Sequence, residues 1–154
     1  MGPVGSLEQT EGKMKAALLL ALRASTGFLL IIWGSLRAFS PERGVGLADK
    51  YYGGAVNTET IQAAFGWAEI GLGVFVILGL FRFLAYPLQA LILVGGVFPI
   101  WKHILDPRGL YLFAADERAN ILFFPSTTVA IGTLILLAFR EHDALSLDRI
   151  LRRG

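Results

Sequence analysis

Four long apolar stretches, covering about residues 16–39, 61–81, 83–105 and 119–139, set the organisation of the chain. Each is close to the ~20 residues that a helix rising ~1.5 Å per residue needs to cross ~30 Å of hydrocarbon. Apolar residues fill every face of these stretches rather than a single stripe, which is the signature of a helix surrounded by lipid and not of one resting on a water-soluble core. The pattern predicts an all-α integral membrane protein, a four-helix bundle with both termini on the same side. Residues 1–15 read as a polar tail, disordered or lying on the surface. Residues 16–140 form the membrane domain, and residues 141–154 form a basic C-terminal tail. Lys13 and Lys15 before the first apolar run resemble the start of a secretion signal. Arg23 splits that run, however, and apolar sequence resumes from Gly27 to Trp33 without a cleavage pattern, so an uncleaved span is expected.

The connections differ in kind. The second and third helices meet at Phe81-Arg82-Phe83 with almost no loop, which predicts a tight antiparallel hairpin. The first connection, Ser40 to Thr60, is long and rich in glycine and charge, with Tyr51-Tyr52-Gly53-Gly54 near its centre; it reads as a plain irregular loop or as a docking surface or lid. The third, Asp106 to Arg118, holds the turn Asp106-Pro107-Arg108-Gly109, then Tyr111, Phe113 and the acidic pair Asp116-Glu117. Lys13, Lys15, Arg82, Arg140, Arg149, Arg152 and Arg153 fall on the side of the termini, against Arg37, Arg43, Lys50, Lys102, Arg108 and Arg118 on the other. The excess of one leans towards termini in the cytoplasm, and the expected location is the inner (cytoplasmic) membrane. The Arg149–Arg153 cluster adds to that orientation.

Composition agrees with the pattern. Of 154 residues, 55% are hydrophobic and 17% charged, where a soluble domain carries about 25% charge. A net charge of +2 with no basic run among aromatics leaves no case for nucleic acid. The absence of cysteine excludes disulfides, iron–sulfur ligation and a thiol relay within this chain. His103 and His142 fall at opposite membrane faces and cannot share a metal or haem, so no metal set is read.

Against this apolar background, two charges stand out. Arg23 interrupts the first run and Glu69 the second, each costing roughly 2.5–3.5 kcal/mol at membrane depth if unpaired. At 3.6 residues per turn Arg23 shares a face with Gly27 and Gly34, and Glu69 shares one with Gln62, Gly66 and Gly73. Small residues let helices approach, and polar ones then bond across the contact. An axial offset of ~8 Å between Arg23 and Glu69 is within reach of two long side chains, which predicts an Arg23–Glu69 couple with Gln62 nearby. Two readings of that couple stand: a lock fixing helix register, or a polar pocket for a headgroup, a quinone or a proton path, with Glu69 the candidate catalytic group. Gly95-Gly96 and Pro99 predict a kink in the third helix; Asn120 and Pro125-Ser126-Thr127-Thr128 offer a similar feature in the fourth. No phosphate-binding glycine loop, nucleophile elbow or zinc-protease motif occurs.

Arg23, Gly27-Phe28-Leu29 and Trp33-Gly34-Ser35-Leu36-Arg37-Ala38-Phe39-Ser40-Pro41, followed by the acidic-glycine stretch Glu69 to Arg82 and the ending Leu145-Ser146-Leu147-Asp148, resemble the DoxX family of four-helix membrane proteins. The similarity runs over most of the chain from Leu22, with Arg37 where the family usually has lysine. The resemblance implies a small membrane protein linked to redox systems; one branch includes the DoxD-type subunit of a thiosulfate:quinone oxidoreductase. The expected function is thus an auxiliary or structural subunit of a membrane-bound oxidoreductase or electron-transfer assembly, with membrane lipids and other membrane subunits as partners and no cofactor of its own. The alternatives are a quinone-reactive subunit working through the Glu/Arg couple, and a carrier or lipid-binding protein.

Overall fold

The computed structural model of the chain describes residues 3–54, 58–106, 123 and 125–152, with side chains from residue 7 onward. Every regular element among them is helical. Three helices are long and apolar enough to cross a membrane, over Leu7–Phe39, Glu59–Leu78 and Arg82–Leu105.

The first helix, α1 (Pro3–Phe39), takes in the residues expected to form a polar tail. Apart from Gly5 and Gly12 little in that segment opposes a helix, and Glu11 lies 3.5 Å from Lys15 one turn on. Leu7 to Lys15 are exposed, so this start of α1 stands clear of the packed body. Ser40 breaks α1, and the chain then forms α2 (Pro41–Tyr51) where an irregular connection was expected. The sequence carries the reason. Pro41 is preset for a helix start, Glu42 sits in the first turn and Lys50 in the last, each matched to the helix dipole. Gly53 and Gly54, both at positive φ, end it.

Helix α3 (Glu59–Leu78) is antiparallel to α1 and packs along it more extensively than any other pair. It stops three residues earlier than the apolar run suggested because Gly79 adopts the left-handed conformation, φ 66°. The amide of Gly79 then donates to Val76 and that of Leu80 to Phe75, a Schellman ending. Three residues later α4 (Arg82–Gly95) begins. The apolar run to residue 105, where a kink was expected, is interrupted at Gly95-Gly96 and continues as a 3₁₀ turn (Phe98–Ile100) and the short α5 (Trp101–Leu105). Two adjacent glycines weaken the helix there, and Pro99 removes the next donor.

Helix α6 (Pro125–Ala138) starts at a proline and is too short to be counted among the spanning lengths. The expected residues 119–122, with Asn120, and the third connection from Pro107 to Arg118 lie outside the described residues, as does Asn57. Beyond α6 the residues read as a free basic tail turn back: Asp143 and Ser146 are fully buried, and α7 (Leu147–Leu151) follows. The apolar core joins Leu19, Val76, Ala85, Tyr86 and Leu136, one or two residues from each of α1, α3, α4 and α6. Large apolar side chains also cover the outside, among them Phe28, Ile32, Trp67, Leu91 and Ile131.

Candidate functional site

Glycine sets the spacing of α1 and α3. A β-carbon added to Gly34 would stand 2.6 Å from the Gly66 carbonyl oxygen, and one added to Gly73 would stand 2.6 Å from that of Gly27. The two backbones therefore touch at Gly34–Gly66 and Gly27–Gly73, and no side chain fits between them. This pairing fixes the register, with Ile31 opposite Glu69 and Ile77 opposite Arg23.

In that register Arg23 does not meet Glu69. Arg23 Nη1 donates to Asp143 Oδ2 at 2.8 Å, and Nη2 reaches the Leu145 carbonyl at 3.2 Å. Glu69 is paired instead with Arg37, whose Nη1 donates to Glu69 Oε2 at 2.5 Å. The reason is side-chain direction. On any helix the Cα–Cβ bonds tilt towards the N-terminus. Arg23 therefore leans towards the start of α1, and its guanidinium lies at the level of Gly79, about 15 Å along the axis from the level of Glu69. Arg37 leans the same way, which brings it inward. Glu69, on the antiparallel α3, leans towards Gly66, and the two converge where Gly34 meets Gly66. Helix spacing gave the right faces, but the predicted couple ignored this tilt.

The third predicted member, Gln62, belongs to neither pair. It is buried under α2, where a β-carbon on Gly44 would come within 2.7 Å of its Oε1, so it seats α2 against α3.

At the Arg23 end, Tyr86 of α4 donates its hydroxyl to Asp143 Oδ2 at 2.5 Å, so one carboxylate oxygen ties α1 and α4 to the segment after α6. The rest of the segment continues the closure. Ser146 Oγ donates to the Asp143 carbonyl at 3.0 Å, and its β-carbon packs over Gly79, where an added methyl would be 2.6 Å away. Asp148 accepts the amides of Phe81 (3.1 Å) and Arg82 (2.9 Å), capping α4, which has no side-chain cap of its own. Phe81 holds φ 50°, unusual for a residue with a β-carbon, and this bond helps to keep it there. Arg82 turns inward and donates to the Arg140 carbonyl at 2.6 Å. Asp143 and Tyr86 were not singled out from the sequence, and Asp148 was noted only within the closing Ser-Leu-Asp stretch. The available signal was an acidic residue just past the fourth apolar run, on the side towards which Arg23 leans.

At the Arg37 end the surroundings are aromatic. The guanidinium lies 5.9 Å from the Trp33 ring and 5.2 Å from that of Phe65, both part-exposed on the outer face. Farther on, Tyr51, His103 and Phe123 make a three-ring cluster that joins α2, α5 and the approach to α6. His142, against Phe139, belongs to the Arg23 end. Among the described residues no three His, Asp or Glu side chains gather as a metal would require. One open groove of about 370 Å³ runs between α3 and α4, walled by apolar residues including Ala68, Gly71, Leu72, Leu84 and Leu88. Neither ion pair lines it.

Comparison with protein-family models, with curated proteins and with solved structures finds no match to this chain. The DoxX resemblance therefore rests on the residues that suggested it.

Proposed function

We propose that the chain is a four-span integral membrane protein of the inner (cytoplasmic) membrane, with α6 and the residues before it as the fourth span and both termini in the cytoplasm, and that it serves as an auxiliary subunit of a membrane-bound oxidoreductase assembly rather than as its catalyst. One observation carries the non-catalytic part. Both charges at membrane depth are neutralised by partners inside the same chain, Arg23 by Asp143 and Glu69 by Arg37. The redox part rests on the DoxX-like sequence pattern, and the partners would be membrane lipids and neighbouring membrane subunits packed on the apolar exterior.

The absence of cysteine allows a direct test of topology. Single cysteines introduced at Gln9 and Glu141, both exposed, should react with an impermeant thiol reagent from the same side of sealed vesicles. Labelling from opposite sides overturns the four-span reading. Co-purification of a redox partner in mild detergent supports the auxiliary role, whereas a homogeneous preparation that restores turnover unaided overturns it.

A second reading is supported by the aromatic setting of Arg37. Trp33 and Phe65 present part-exposed ring faces beside the Arg37–Glu69 pair, as a planar ligand such as a quinone would need, with Glu69 the proton-handling group. Glu69→Gln should then abolish turnover in a protein that still assembles, and normal turnover would rule this reading out.

A further inference from the structure

The Arg23 end of the molecule carries charge that its own ion pairs do not consume. Arg82 is turned inward, with Nη1 on the Arg140 carbonyl and Nε 3.7 Å from Asp148, but Arg140, Arg149 and Arg152 stand at the periphery. The guanidinium carbon of Arg140 lies over the ring of Phe83, 5.3 Å from its centroid, and Phe83 is itself 80% exposed. Arg149 donates to the Glu141 carbonyl at 2.6 Å, which places its guanidinium at the turn Arg140–His142. Arg152 directly follows Ile150 and Leu151, both exposed at the end of α7.

Among the described residues, two carboxylates outside the interior share this stretch of chain. Asp148 is engaged by the amides that it caps, and Glu141 lies 3.5 Å from Arg140 Nε with an 80% exposed side chain. Three arginines against one free-standing carboxylate leave the rim positive. Its positive charge is interleaved with exposed Phe83, Ile150 and Leu151, side chains that gain by entering hydrocarbon. A water-facing rim would not combine these features. A bilayer edge would accept both, with rings and aliphatic groups among the acyl chains and guanidinium groups at the phosphates.

We propose that this rim is a binding site for the headgroups of anionic phospholipids, with Arg140, Arg149 and Arg152 as the phosphate-binding groups and Phe83, Ile150 and Leu151 as the apolar seat. Planar guanidinium groups suit phosphate oxygens in paired contacts, and the Phe83 ring supports one of them. The site keeps the segment after α6 pressed to the membrane surface, on the same stretch of chain that supplies Asp143 and Asp148 to the interior.

The proposal rests on the membrane reading, and the test separates the two. The protein is reconstituted into phosphatidylcholine vesicles carrying spin-labelled phosphatidylglycerol or spin-labelled phosphatidylcholine, and the motionally restricted fraction of each is compared. Preference for phosphatidylglycerol should be several-fold, should fall as salt rises, and should be lost in R140Q/R149Q/R152Q. The lysine counterpart R140K/R149K/R152K should keep most of it, and salt screening of the unaltered protein probes the same charges should the glutamine variant fail to fold. Equal restriction of the two lipids by a protein that resists carbonate extraction overturns the site alone, as does a preference that survives the glutamine variant or high salt. Release of the protein by carbonate overturns the membrane reading and the site together.

Discussion

Arg23 and Arg37 stand on the same helix, about 21 Å apart along its axis, and each neutralises one buried carboxylate, yet the two pairs are built differently. The Arg23–Asp143 side chains are 3% and 0% exposed, and the carboxylate also receives the hydroxyl of Tyr86. Neither group has anywhere else to go. Arg37 is 16% exposed, lies between two part-exposed rings and sits two residues from the end of α1, so its long side chain can swing to the helix end if its partner is lost. A buried pair adds little over well-packed apolar groups, but an abandoned buried charge is costly. The first pair is therefore a closure that the fold depends on. The second is a joint with some freedom.

Breaking the closure should give the largest effect. Asp143→Asn leaves Arg23 charged and enclosed, and should cost about 3–5 kcal/mol, read as a lower thermal unfolding midpoint in mild detergent. Arg23→Met with Asp143→Leu should recover much of that loss. A single Asp143→Asn protein as stable as its parent would remove the distinction between the two ends. Glu69→Gln should cost less, about 1.5–3 kcal/mol by the same assay, because Arg37 keeps an exit; a loss equal to that of Asp143→Asn would show that Arg37 is as confined as Arg23.

The backbone contact that sets both pairs can be strained directly. Gly34→Ala pushes a methyl to 2.6 Å from the Gly66 carbonyl and should cost about 1–3 kcal/mol, while Gly71→Ala, which faces open space, should be neutral. Equal melting of these two variants would mean that α1 and α3 are not held at glycine distance. The smallest loss is expected at Gln89, which is fully buried on α4 with neither amide atom hydrogen-bonded. Gln89→Leu should leave stability unchanged or raise it by about 1–2 kcal/mol, since a lone buried amide is a cost that leucine removes. A clear destabilisation would show that this amide has a partner in the membrane-embedded protein, and buried polar side chains other than the ion pairs would then count as structural.

Much of the helical framework was legible in advance. The apolar stretches located α1, α3 and the run from Arg82 to Leu105, and Gly95-Gly96 with Pro99 marked the break in the last of these. The glycines were placed on the faces that now touch. Where the reading departed from the structure, weak local signals were overruled by context or by finer local chemistry. A polar start did not prevent Pro3–Lys15 from joining α1, and the capping residues of α2 outweighed the glycine content of its surroundings. The segment after Phe139 read as a tail because its composition is polar and basic, although Asp143, Ser146 and Asp148 are the residues that close one end of the molecule.

Length and hydropathy act locally, residue by residue, so the sequence by itself determined that this chain is helical, that it holds helices able to match a bilayer and that its buried charges need partners. Which partners they take was decided only by tertiary structure. The choice depends on the antiparallel register set at Gly27–Gly73 and Gly34–Gly66, on the tilt of every side chain towards the start of its helix, and on a segment more than a hundred residues from Arg23 folding back to meet it. None of these is a property of spacing along one helix. That is why Arg23 and Glu69, well matched in sequence, are each paired with another residue in the folded protein.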